Sequence, residues 1–158
     1  MTRWFLDTEF NEDGRTVELI SIALVSDDGR EYYAVSSEFD AAACNDWVKA
    51  NVLPLLPVER RSRRDIAGEV RDLLLADGKK PEIWAYFADY DWVALCQLFG
   101  PMVALPKGFP MWCRDLKQLM DAEDIERDAL PEQTGTAHDA LADARWVRAA
   151  HRFIEGER

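Results

Sequence analysis

The chain has 158 residues, with 30 acidic against 19 basic side chains for a formal net charge of -11, and 48% of it is hydrophobic. That length can bury a core without disulfide or metal staples, and that composition excludes a disordered chain. The acidic balance excludes a protein that holds nucleic acid through global charge, so any contact with phosphate needs a local site.

One domain is expected over residues 1–158, since no linker, repeat or low-complexity tract interrupts the chain. No apolar run is long enough for a signal peptide or a membrane span, so no membrane partner is expected and the cytoplasm is the expected address. Cys44, Cys96 and Cys113 are widely spaced and form no CxxC pair, which argues against a disulfide framework and a zinc site.

Residues 3–9 and 17–26 read as strands, and DDG at 27–29 is a turn signal before a third strand in REYYAV. Together they predict an antiparallel meander. Helical periodicity follows over 44–53 and 65–76, where Ile66, Val70, Leu73 and Leu74 form one stripe that ends before Gly78. The basic run ERRSRRD, with Arg60, Arg61, Arg63 and Arg64, precedes the second helix; a solvated helix entrance is the simpler reading and a phosphate-contacting patch the alternative. PEIWAYF at 81–87 reads as a buried strand, DYDWVALCQLFG as the helix after it, PMWC as a short strand and RDLKQLMDA as a helix. Residues 121–136 hold Pro131 and Gly135 and read as a loop before a last helix from about residue 139 to 154. A meander followed by alternating helices and strands predicts an α/β fold, a mixed sheet flanked by helices.

Three places concentrate carboxylates. In FLDTEF at 5–10, Asp7 and Glu9 share one face of a strand about 7 Å apart, with Trp4, Leu6, Thr8 and Phe10 on the other. Two like charges side by side are costly when buried, so a solvated strand end competes with a cation site. In AYFADYDWVAL, Asp89 is placed to cap the helix, whereas Asp91 lies just inside it and leans over the end of the preceding strand. In TAHDALADARWVRAAHRF, His138 and Asp143 are five apart, about 140° round a regular helix, and cannot converge if both are helical. They converge if His138 belongs to the incoming loop. His151, farther along, is read as structural or solvent-facing.

These segments together resemble the DEDDh exonuclease superfamily, which includes RNase T, oligoribonuclease and the proofreading subunits of DNA polymerases. FLDTEF matches its first motif, AYFADYDWVAL its second, and HDALADA its third, whose His-x4-Asp spacing marks the "h" subgroup. The wording is most similar to that of short bacterial 3′–5′ exoribonucleases. The resemblance implies an RNase H-like five-stranded sheet, two Mg²⁺ or Mn²⁺ ions held by Asp7, Glu9, Asp91 and Asp143, and His138 as general base. It also implies that an RNA 3′ end is the partner and that the chain forms a homodimer. Hydrolysis by two ions would release nucleoside 5′-monophosphates. Where many relatives carry His-Asn ahead of the second motif this chain has Tyr86 and Phe87, which bears on how the terminal nucleotide is oriented.

Phe10, Phe87 and Trp112 are candidates to stack on that nucleotide's base. A DNA-directed exonuclease of the same superfamily and a non-catalytic acidic domain with this fold are the alternatives. His138-Asp139 is also an HD pair, but HD phosphohydrolases need several His ligands on an all-helical scaffold, and this chain has two His and a strand-rich first third.

Overall fold

The turn chemistry and strand alternation of the first third produce the expected meander. In the computed structural model, which describes residues 1–156, β1 (Thr2–Glu12) pairs antiparallel with β2 (Val17–Ser26), and β2 with β3 (Glu31–Val35). Gly29, with φ of 90°, supplies the left-handed conformation that the β2–β3 turn requires. The chain then passes through α1 (Asp46–Asn51) and α2 (Arg63–Leu75) to β4 (Pro81–Ala85), which lies parallel to β1. From there α3 (Asp89–Gln97) leads to the two-residue β5 (Arg114–Asp115), parallel to β4, and α4 (Leu116–Ala122) and α5 (Ala140–Ile154) complete the fold. The five-stranded sheet runs β3-β2-β1-β4-β5.

Both faces of the sheet are covered. Trp4, Leu6, Ile22, Leu24 and Ile83 pack on one side against Ile66, Val70 and Leu74 of α2 and Ala94 and Leu95 of α3. Phe5 and Trp84 face the other way, onto Leu116 and Met120 of α4 and Trp146, Val147 and Ala150 of α5. Each large apolar side chain buried this way contributes roughly 1.5–3 kcal/mol. His151 lies fully buried in this second layer, its ring 4.4 Å from Trp84 and 5.3 Å from Phe5.

Three departures from the expected elements shape the site. Glu9 pairs with Ser21 but Phe10 pairs with Leu19, so Ile20 is an extra residue that bulges β2. Ile20 packs with Cys44, Val48 and Val52, which fixes α1 beside the end of β1. Phe10 keeps the parity of Leu6 and Thr8: it stacks on Tyr90 of α3, on the face where Thr8 meets Asp91. Next, the strand expected to continue through Tyr86 and Phe87 stops at Ala85, and Phe87 takes a φ of 55°. Its N–H and that of Ala88 donate to the two carboxylate oxygens of Asp115 (3.2 and 3.3 Å), which pins the turn. Finally, Arg114 and Asp115 form the strand expected in PMWC instead of starting the helix. Asp115 caps α4 by accepting from the Lys117 N–H at 2.8 Å.

Candidate active site

β1 and β4 are parallel, and their C-terminal ends open into a pocket of about 260 Å³. Asp7, Glu9, Asp91, His138 and Asp143 all line it, together with Thr8, Phe10, Tyr86, Phe87 and Tyr90. Clefts at the carboxyl ends of such strands are where α/β sheets bind ligands.

Each acid is set by its element. Asp7 and Glu9 project from one face of β1. Asp91, in the first turn of α3 behind the sheet, is drawn over its end by Thr8, whose N–H and hydroxyl both donate to Asp91 Oδ1 at 2.8 and 2.6 Å. Asp143 rises from the first turn of α5; its Oδ2 accepts from the His138 N–H at 3.0 Å and its Oδ1 from the Gln133 side-chain amide. His138 stands outside that helix with φ of 67°, and Asp139 is the cap, accepting from the Leu141 N–H at 3.0 Å. The left-handed residue before the cap is what lets a His five positions from Asp143 reach the same pocket. The exposed Trp47 of α1 meets the imidazole edge-on, with ring centroids 4.8 Å apart.

The carboxylates repel one another. Burial, then Asp91, Asp143 and Glu9, hold Asp7 well above the usual carboxylate range. Burial, then Asp143 and Asp91, push Glu9 up to about 8. Asp91 is raised to about 7 by burial, against the two Thr8 hydrogen bonds, with Asp115 and Asp143 adding to the rise. Burial also raises Asp143, against the Gln133 and His138 hydrogen bonds. No Lys or Arg is among the described residues that line the pocket. Buried carboxylates gathered without a cationic side chain suit a hard divalent cation, which selects oxygen ligands. Ligand atoms of Glu9, His138 and Asp143 lie within 4.8 Å of one another, so the donor set fits such an ion.

Comparison with known proteins gives the family. Residues 2–154 match the 3′–5′ exoribonuclease Rv2179c-like domain. The chain belongs to that family. A relative from Mycobacterium tuberculosis strain H37Rv, 3′–5′ exoribonuclease Rv2179c, is 49% identical over 148 residues, covering 90% of this chain and 87% of the relative. In fold the chain is similar to the zinc-bound E. coli exonuclease I complex with single-stranded DNA: TM-score 0.75 and 16% identity, over 99% of this chain and 41% of the other. It is also similar to the Mg²⁺- and Mn²⁺-bound form of S. pombe Pop2p, with a TM-score of 0.54 and 14% identity over 97% of this chain and 81% of that one. The chain thus spans about two fifths of exonuclease I, and these distant likenesses establish the RNase H-like fold.

Of the aromatic candidates in this family member, Phe10 and Phe87 line the pocket and Trp112 does not. Phe10 stacks on Tyr90 with centroids 5.4 Å apart and planes 10° from parallel, and Phe87 is 58% exposed at the rim. Parallel pairing of Arg114 with Trp84 sets Trp112 two residues lower, toward the start of β4. There it lines a separate small pocket with Met1, Lys80 and Glu82, beneath the Arg114 guanidinium. Asp89 is exposed, and α3 begins without a side-chain cap. Sequence reasoning missed Thr8, Trp47, Tyr90, Gln133 and Asp115. Thr8 had a signal, being the hydroxyl between two acids on a strand; the others depend on contacts between distant segments. Among the described residues no helix is long and apolar enough to cross a membrane.

Proposed function

We propose that the chain is a metal-dependent 3′–5′ exoribonuclease of the DEDDh type, a single exonuclease domain that removes nucleoside 5′-monophosphates from RNA 3′ ends. The observation that carries this is the convergence of Asp7, Glu9, Asp91, Asp143 and His138 in one pocket that no Lys or Arg lines among the described residues. Family membership supports the same polarity and polymer.

Asp7, Glu9, Asp91 and Asp143 hold Mg²⁺ or Mn²⁺. Bound there, such ions supply Lewis-acid chemistry: they acidify water and neutralise charge on the phosphoryl and leaving oxygens. Thr8 keeps Asp91 aimed into the pocket, and the Gln133 amide and the His138 N–H fix both oxygens of Asp143. His138 takes the proton of the attacking water; imidazole is the side-chain base best matched to neutral pH. As the new P–O bond forms, the bond to the upstream 3′-oxygen breaks, and that oxygen leaves as the new chain end. The stacked Phe10–Tyr90 pair and the exposed Phe87 ring offer flat faces to the terminal base.

Matched single-stranded RNA, single-stranded DNA and 3′-overhang duplexes, incubated with Mg²⁺ or Mn²⁺ and resolved by length, test this function. Stepwise shortening of RNA is expected; shortening of DNA alone would reassign the polymer, and no shortening of either would refute the function.

A further inference from the structure

The arginine run between α1 and α2 lies at the same end of the sheet as the acidic pocket. Register fixes this: Glu9 of β1 pairs with Ser21 of β2, Ser21 pairs with Val35 of β3, and Ser36 bridges Arg61 in parallel. Strands about 4.8 Å apart put β3 roughly 10 Å from β1, and the run, bridged to the outer side of β3, one spacing farther out. The run is held there by backbone hydrogen bonds, from the Arg61 N–H to the Val35 carbonyl and from the Ser37 N–H to the Arg61 carbonyl, both 2.8 Å.

Its charge is available. Arg60, Arg61 and Arg64 are exposed and Arg63 is half-buried. Among the described residues, Arg60, Arg63 and Arg64 make no ion pair within 4.0 Å, and Arg61 has one long contact, 3.8 Å to Glu69. The acids nearby have other duties: Glu38 accepts from the Arg63 backbone N–H at 2.9 Å, Asp65 from the Ser62 hydroxyl at 2.8 Å, and Glu69 from the Tyr32 hydroxyl at 2.7 Å. The Arg60 guanidinium donates to two backbone carbonyls, those of Pro57 and, at 3.1 Å, Glu59, neither of which neutralises its charge.

Tyr33 links the run to the pocket. It pairs with Ala23, which pairs with Asp7, and with Arg61 it lines a small cavity of about 90 Å³. Burial pushes its phenol up against a Ser21 hydrogen bond, with Asp139 and Glu9 adding to the rise and Arg60 opposing it.

We propose that Arg60, Arg61, Arg63 and Arg64 bind phosphates of single-stranded RNA upstream of the nucleotide being removed, so that the enzyme grips a chain and not its end alone. This rests on the exoribonuclease function above. An enzyme with a net charge of -11 repels the rest of a polyanion, and a local guanidinium track beside the pocket offsets that repulsion. Guanidinium is suited to the task because its fork of donors matches phosphate oxygens.

The test compares Arg60→Glu/Arg64→Glu with Lys79→Glu/Lys80→Glu, an equal charge change where β4 begins, at the opposite end of the sheet. Steady-state rates are measured on a long single-stranded RNA and on a dinucleotide, which has no upstream phosphate. The arginine variant is expected to raise KM for the long RNA by roughly tenfold, with a shallower dependence of KM on salt, and to process the dinucleotide like wild type. The lysine variant is expected to match wild type on both. An unchanged KM for long RNA, equal losses on both substrates, or equal losses in both variants would overturn the proposal. A wild type that hydrolyses neither substrate would refute the exoribonuclease function instead. Anisotropy of fluorescent long RNA on the same proteins would then decide the track, and unchanged affinity in the arginine variant would overturn it.

Discussion

Replacing Glu9 with Gln should make the metal-free protein more stable while destroying its activity. Glu9 is 9% exposed, and burial beside Asp143 and Asp91 raises its carboxyl from 4.5 to about 8. In the unfolded chain it ionises near its ordinary value. Between about pH 4.5 and 8 the folded state therefore binds more protons than the unfolded one, and stability falls as pH rises, by about 1.4 kcal/mol per pH unit. Below that window both states are protonated and nothing is lost; above it the loss levels off. From about pH 5 to 8 the cost reaches roughly 4 kcal/mol, and Gln, isosteric and neutral, escapes it. The assay is urea unfolding of chelated wild type and Glu9→Gln at several pH values, taking the difference between the two proteins. That difference cancels His151, whose burial lowers its pKa and costs stability as pH falls below its ordinary value. We expect Glu9→Gln to lead wild type by several kcal/mol near pH 8, with the lead vanishing toward pH 5. Saturating Mg²⁺ should reverse the order near pH 8, since the cation rewards the ionised acid. A chelated variant no more stable than chelated wild type near pH 8 would refute the view that the acids are held against their own repulsion.

The other predictions concern side chains around those acids. Thr8→Val removes the 2.6 Å hydroxyl bond to Asp91 but keeps the backbone one, so Asp91 is held less firmly in its ionised form. The Mg²⁺ concentration for half-maximal rate should rise about tenfold, and an unchanged titration would contradict the role given to Thr8. His138→Ala should lower kcat by about 10²-fold or more while Mg²⁺ binding, measured by calorimetry, stays close to wild type. Lost binding would make the imidazole a ligand instead of a base. Phe87 pays for a left-handed backbone, so Phe87→Gly should stay within about 1 kcal/mol of wild type in urea while its KM for RNA rises. A loss of several kcal/mol would mark that ring as core.

Much of this was legible before the structure because each motif sits on an element whose boundary chemistry is local. The DDG turn, the stripe Ile66-Val70-Leu74 and the stop before Gly78 fix elements by short-range physics, and the elements then carry Asp7, Glu9, Asp91 and Asp143 to one end of the sheet. Even the backbone state of His138 was implied, since a regular helix would have turned it away from Asp143. What stayed hidden depends on register between distant segments. The stacking of Phe10 on Tyr90 joins β1 to α3, and the pairing of Trp84 with Arg114 carries Trp112 away from the pocket. Asp115 illustrates the same limit: it reads as part of a helix, yet it caps that helix and pins the Phe87 turn through contacts 27 and 28 residues away in sequence.

The central claim is that four carboxylates from β1, α3 and α5 hold divalent cations for stepwise hydrolysis from an RNA 3′ end. It is tested most directly on RNA labelled at its 5′ end, with wild type and Asp7→Ala compared in Mg²⁺ and in EDTA. Wild type in Mg²⁺ should give a ladder of products each one nucleotide shorter, lost in EDTA, restored by excess Mg²⁺, and absent for Asp7→Ala. Undiminished shortening by Asp7→Ala or in EDTA, or internal fragments in place of a ladder, would contradict it.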